Sequence, residues 1–152
     1  MIVDSDLQTP PDAPLFTVQR KVTIYAANPH AERQAALEAQ GAEIIYLPGK
    51  HADGSPSGKV DLHAMVMDLG KRDINELHVE AGHKLHGSLL RSGVVDELLV
   101  YLAPQLLGVG AGMSNLGPLT ELSQGIALEF TSAEMVGKDL RVLSRVAKHN
   151  TF

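Results

Sequence analysis

The residues best suited to chemistry lie together in one stretch, His78-Val79-Glu80-Ala81-Gly82-His83-Lys84-Leu85. Their pattern places Glu80 at the carboxyl end of a strand, the edge at which open α/β sheets bind ligands. Gly82 lets a backbone approach a ligand closely, and the helix that follows offers an anion N–H groups with no intrahelical partner. Such a site suits a dinucleotide pyrophosphate or a sugar phosphate, with the carboxylate beside it holding sugar hydroxyls. A plain strand-to-helix turn, with its acidic residue favoured by the helix dipole, explains the same residues.

A second candidate is the pair Asp4-Ser5, where an aspartate ends a short apolar run and leads into a Pro-rich turn. It could face a cleft, or it could bond its own backbone in an Asx-type turn; local pattern does not separate the two. His78, Glu80, His83 and His86 invite a metal reading, but no His-x-x-x-His pair is present and a solvated helix face accounts for them. The run from Gly54 to Lys59 resembles a phosphate-binding loop, yet its spacing is one residue short and Val60 replaces the required Ser or Thr. Gly108-Val109-Gly110-Ala111-Gly112 lacks the third glycine of a dinucleotide fingerprint. Ser88 and Ser92 lack the Gly-x-Ser-x-Gly context of a nucleophile.

Composition narrows the classes further. The 152 residues contain no Cys, which excludes disulfides, thiolate metal sites and cysteine nucleophiles. It also excludes zinc deaminases that need a Pro-Cys-x-x-Cys pair. The formal charge is −5, with 13 Lys and Arg thinly spread, so no basic face offers itself to nucleic acid. No apolar run approaches the roughly 20 residues of a membrane span. The acidic start, Met1-Ile2-Val3-Asp4-Ser5-Asp6, does not fit a signal peptide, so a cytoplasmic protein is expected.

The elements that must position these residues read as one α/β domain over 1–152. Strands are expected at 21–26, 43–47, 76–79 and 97–102. A first helix, capped by Asn28 with Pro29 at its first position, runs through Ala35, Ala36 and Ala39 to stop at Gly41. The segment 48–58, rich in Gly, Ser and Pro, reads as an exposed loop. Asp61 caps a second helix carrying Leu62, Met65, Val66 and Leu69, stopped at Gly70. A third carries Leu85, Leu89 and Leu90 and ends near Gly93. With its flanking strands it forms a parallel βαβ unit. Alternation around Leu128, Phe130, Leu140, Val142 and Val146, with Gly137-Lys138-Asp139 between, predicts an antiparallel hairpin. Ile2-Val3 reads as the end of a strand or a short edge strand.

Taken in order, three segments resemble the riboflavin-biosynthesis reductase domain. Val3-Asp4-Ser5-Asp6-Leu7-Gln8-Thr9-Pro10 is similar to its Val-Asp-Ser-x-Leu-Arg-Thr-Pro turn. His78 to Leu90 is similar to its Val-Glu-Ala/Gly-Gly-x-x-Leu-x-x-x-Leu signature. Val95-Asp96-Glu97-Leu98 through Ala103-Pro104-Gln105-Leu106-Leu107-Gly108 matches a third segment, and Val136 to Leu140 fits as well. The match covers almost the whole chain.

The resemblance implies a dihydrofolate-reductase-like mixed sheet flanked by helices. It implies NADPH-dependent reduction of the ribosyl group of 5-amino-6-(5-phosphoribosylamino)uracil to a ribityl chain. Glu80 matches the carboxylate that holds the ribose. Gly82, His83, Lys84, Leu85, His86, Gly87 and Ser88 match the turn and helix start that receive NADPH. Asp4 matches the cleft aspartate near nicotinamide and ribose, and Leu7 and Gln8 the contacts to the phosphoribosyl end. Gln8 stands where Arg is usual, removing a fixed positive charge, and His83 stands where Pro is usual. The family's domain begins well before Asp4, so an N-terminally truncated domain, prone to self-association through unpaired strand edges, is expected. A non-catalytic remnant that partners an intact reductase, and a reductase of another pteridine or pyrimidine, are the alternatives.

Overall fold

The computed structural model describes residues 1–18 and 20–147, which divide into two compact units, one ending at Leu77 and the other beginning at His78. The first unit is built on a parallel sheet of order β1-β2-β3, formed by β1 (Ile2–Val3), β2 (Val22–Ala26) and β3 (Ala42–Tyr46). β1 is a two-residue edge strand, with Ile2 opposite Ile24 and Val3 opposite Tyr25. Ile24, Tyr25 and Ala26 in the central strand are fully buried. Leu37 of helix α1 (Ala31–Ala39) joins Val22, Ile24, Ala26, Ala42 and Leu7 in the core.

Helix α1 starts later than expected. His30 is its cap and accepts the Arg33 N–H at 3.4 Å, while Pro29 lies outside the helix. Asn28 does not cap; its side-chain Nδ2 donates instead across the fold, to Asp6 Oδ1 at 2.7 Å and to the Gly58 carbonyl at 3.1 Å. The stop is as expected, with Gly41 at φ +84° just beyond Gln40.

The segment expected as a loop forms instead an antiparallel hairpin of β4 (Pro48–Lys50) and β5 (Pro56–Val60). Its prolines are no obstacle, since each opens its strand. Gly49 admits the Lys59 carbonyl and the Ser57 hydroxyl, each 3.0 Å from where a Cβ would sit.

Helix α2 (Leu62–Lys71) begins as predicted, with the Asp61 carboxylate accepting the Ala64 N–H at 2.9 Å. It runs past Gly70. Asp73, at φ +61°, supplies the left-handed residue of a Schellman stop, with Ile74 N–H on the Leu69 carbonyl and Asp73 N–H on that of Gly70. An ionic network joins α2 to the sheet. The buried Tyr25 hydroxyl donates to Asp68 at 2.7 Å, Arg72 Nε reaches the same carboxylate, and Arg72 also grips Glu43, which pairs with Lys21. Burial, then the Asp68 hydrogen bond, pushes the Tyr25 hydroxyl up to about 12. Hydrogen bonds from Arg72 and then Lys21 pull Glu43 down to about 2.

The second unit holds helix α3 (His83–Ser92) and an antiparallel sheet of order β6-β8-β7, formed by β6 (Glu97–Leu102), β7 (Leu128–Val136) and β8 (Asp139–Val146). The predicted hairpin is present. Val136 faces Asp139 across Gly137-Lys138, with Gly137 at φ +62° in the first central position of a type II′ turn. The expected strand at 76–79 does not form, and with it the parallel βαβ unit is lost. A strand exists only through its ladder, and 76–79 pair with none of the described strands; β6 pairs over its whole length with β8, from Glu97↔Arg145 to Leu102↔Leu140.

Candidate active site

Two constellations carry the predicted site residues. In the first unit, Asp4 follows β1 and its N–H donates to the Tyr25 carbonyl at 2.9 Å, so the sheet fixes its position. Its Oδ2 accepts both the N–H and the hydroxyl of Thr9, each at 2.7 Å. Burial pushes this carboxyl up, but the N–H of Gln8, the Thr9 hydroxyl, and the N–H groups of Thr9 and Asp6 outweigh it and hold it below the ordinary value. Asp4 is therefore an anion whose lone pairs fasten its own turn, the Asx-type arrangement.

That turn carries Leu7 at φ +53°, a left-handed conformation costing a bulky residue on the order of 1–3 kcal/mol. Burial of the Leu7 side chain in the core, with 1% exposed, opposes that strain. Leu7 and Gln8 line a cleft of about 570 Å³ whose other wall is the start of α1, with His30, Glu32 and Arg33. Arg33 Nη1 donates to the Asp6 carbonyl at 3.0 Å, tying helix to turn. Arg33 thus brings a cation into the cleft that Gln8 lines. Sequence reading passed it over, because 25 residues separate it from Gln8.

In the second unit, Glu80 lies in the irregular segment before α3 and not at the end of a strand. Its side chain is 89% exposed, with His78 Nε2 at 3.5 Å. Gly82 is the cap of α3, and neither a capping side chain nor an acidic residue in the first turn occupies the leading N–H groups. The space beside Gly82 is open, since a Cβ there would meet nothing within 4 Å. An anionic group therefore has both donors and room. The residues present fit a phosphate-bearing cofactor, with His83, Lys84 and Leu85 in the turn that would hold it.

His86, Gly87 and Ser88 are engaged with the chain itself. His86 Nε2 accepts the Ala81 N–H at 3.2 Å, and its Nδ1 lies 3.3 Å from the Met113 carbonyl. Gly87 is buried, and any Cβ there would fall on the Asn115 backbone. Ser88 Oγ donates to the Lys84 carbonyl at 3.1 Å. Among the described residues no group of three or more His, Asp or Glu side chains could hold a metal ion. No helix among them is long and apolar enough to cross a membrane.

The segment around Asn115 is the part of this site that the sequence reading missed. Its one signal was Gly87, a glycine inside a helix, where it costs about 1 kcal/mol relative to Ala unless something packs against it.

The parallel sheet, the antiparallel sheet and their helices define an α/β protein of the dihydrofolate-reductase type. The fold aligns with that of Acinetobacter baumannii RibD at a TM-score of 0.75 and 20% identity, over 95% of this chain and 36% of that one. The chain matches the family model of the RibD C-terminal domain over residues 1–142 and belongs to that family. The riboflavin biosynthesis protein RibD of Haemophilus influenzae is 33% identical over 143 residues, covering 93% of this chain and 35% of the relative. A protein of Buchnera aphidicola (from Acyrthosiphon pisum) named 5-amino-6-(5-phosphoribosylamino)uracil reductase is 31% identical over 86 residues, covering 56% of this chain and 42% of the relative. The chain thus spans about a third of the length of the RibD proteins it resembles.

Proposed function

We propose that this chain is a riboflavin-pathway reductase domain that reduces the ribosyl group of 5-amino-6-(5-phosphoribosylamino)uracil to a ribityl group with NADPH. The observation that carries this reading is the family match over residues 1–142, which takes in both the Asp4 turn and the α3 turn. The name of the Buchnera relative supports the choice of substrate.

In this reading the uncapped start of α3 holds the cofactor's anionic groups through its N–H donors, with Lys84 adding charge. When bound, NADPH supplies the hydride that C1 of the ring-opened ribosyl group accepts. Glu80 accepts hydrogen bonds from the ribose hydroxyls. Asp4, kept anionic by its turn, gives the nicotinamide and ribose region a fixed negative wall. Leu7 and Gln8 meet the phosphoribosyl end.

The test is a fluorescence titration of the purified chain with NADPH beside NADH, followed by an assay of substrate-dependent NADPH oxidation. Saturable NADPH binding at micromolar concentration and ribityl product are expected. Absence of both overturns the reading. Within it, Glu80→Gln weakens substrate binding more than NADPH binding, and an equal loss of both would remove Glu80 from ribose recognition.

A further inference from the structure

We infer that His86 is a positioning residue, whose imidazole pins the Glu80-Ala81-Gly82 turn to the segment around Met113 and so sets the donors at the start of α3. This inference rests on the proposed function in taking that turn as the place of cofactor binding. The pin itself is geometric. One ring nitrogen accepts the Ala81 N–H and the other lies against the Met113 carbonyl, at 3.2 and 3.3 Å. An imidazole meets both demands only when neutral with its proton on Nδ1, since the Ala81 side needs an acceptor and the Met113 side a donor. Among the described residues no other side chain is bonded to the backbone of this turn: Gly82 has no side chain, and the exposed Glu80 carboxylate meets only His78.

The far end of the pin is firmly held. The Asn115 N–H donates to the His83 carbonyl at 2.9 Å, and Arg91 Nη1 donates to the Asn115 carbonyl. Gly87 lets the Asn115 backbone lie directly on the helix. His86 therefore adds a side-chain link between the turn and a segment that is itself fastened to α3. The atom it holds, Ala81 N, lies one residue from Glu80 and one from Gly82, the two groups the proposed chemistry uses.

The test compares wild type with His86→Ala and His86→Gln, whose amide carries one acceptor and one donor. Amide hydrogen exchange at Ala81, read by NMR, and NADPH titration are measured on all three. The expected result for His86→Ala is rapid exchange at Ala81 with protection in β6, β7 and β8 retained, and a roughly tenfold weaker NADPH affinity. His86→Gln should restore both. Unchanged Ala81 exchange in His86→Ala overturns the inference, as does unchanged affinity once protection is lost. So does a loss of protection spread across the whole unit, which would mark His86 as merely structural. If the wild-type chain binds no NADPH, the proposed cofactor role of the turn fails, and the Ala81 exchange alone decides the pin.

Discussion

The two units use their side chains differently. Among the described residues the buried apolar side chains lie in the first unit, with Leu89 the exception. There the Asp4 turn is over-determined by a parallel sheet, four donors to one carboxylate and the buried Leu7. In the second unit Leu106, Leu107, Val109, Leu122 and Phe130 are exposed, and the α3 turn is held by backbone bonds and one imidazole. A strained conformation persists only where a packed core can oppose it. Where burial is thin, a turn depends on individual hydrogen bonds, each easily lost.

The sharpest way to break this comparison is to remove core from each unit. Ile24→Ala should cost about 2–5 kcal/mol in denaturant unfolding, because Ile24 is wholly buried. Leu99→Ala, at a strand position 44% exposed, should cost under about 1 kcal/mol. Equal losses would mean the second unit has a core of its own that burial does not reveal.

Next in size is Tyr25→Phe, which removes a buried hydroxyl bonded to a carboxylate and should cost about 1.5–3 kcal/mol. The pH dependence has a definite sign. With the folded-state value raised from 10.0 to about 12, the stability Tyr25 contributes is complete below pH 10 and lost as pH rises through 12. Tyr25→Phe should abolish that alkaline loss, measured as unfolding midpoint against pH.

Gly87→Ala follows, at about 1–3 kcal/mol, because the new methyl must displace the Asn115 backbone. An exposed helical glycine would instead gain about 1 kcal/mol from the same change. Stabilisation would therefore show that the contact with Asn115 is absent in solution. Proton exchange at Asn115 N–H reads the displacement directly.

The smallest effect belongs to Thr9→Val, at about 1 kcal/mol, since the Thr9 N–H continues to donate to Asp4. The Asp4 carboxyl should rise toward its ordinary value in an NMR titration. Asp4 contributes stability above the ordinary carboxylate range that is lost as pH falls through its depressed folded-state value, so this variant should show a smaller acid loss.

What the sequence determined by itself is what a few neighbouring residues decide. Asp61 caps α2 by a bond three residues away, Gly41 and Gly93 end helices with positive φ, and Gly137 forces the hairpin turn. The ordered motifs around Asp4 and Glu80 likewise identified the family. Only the tertiary structure decided that 76–79 would be no strand, because a strand exists only through a ladder and these residues find none among the described strands, while β6 pairs with β8, some 46 residues away at Leu98↔Ser144. It also decided where the Asn28 side chain goes, to Asp6 and Gly58 across 22 and 30 residues, while His30 caps α1. The same holds for Arg33 in the cleft and for His86 between Ala81 and Met113. Hydrogen bonds within one turn of chain follow from local spacing; bonds that cross the fold depend on which segments the packing brings together.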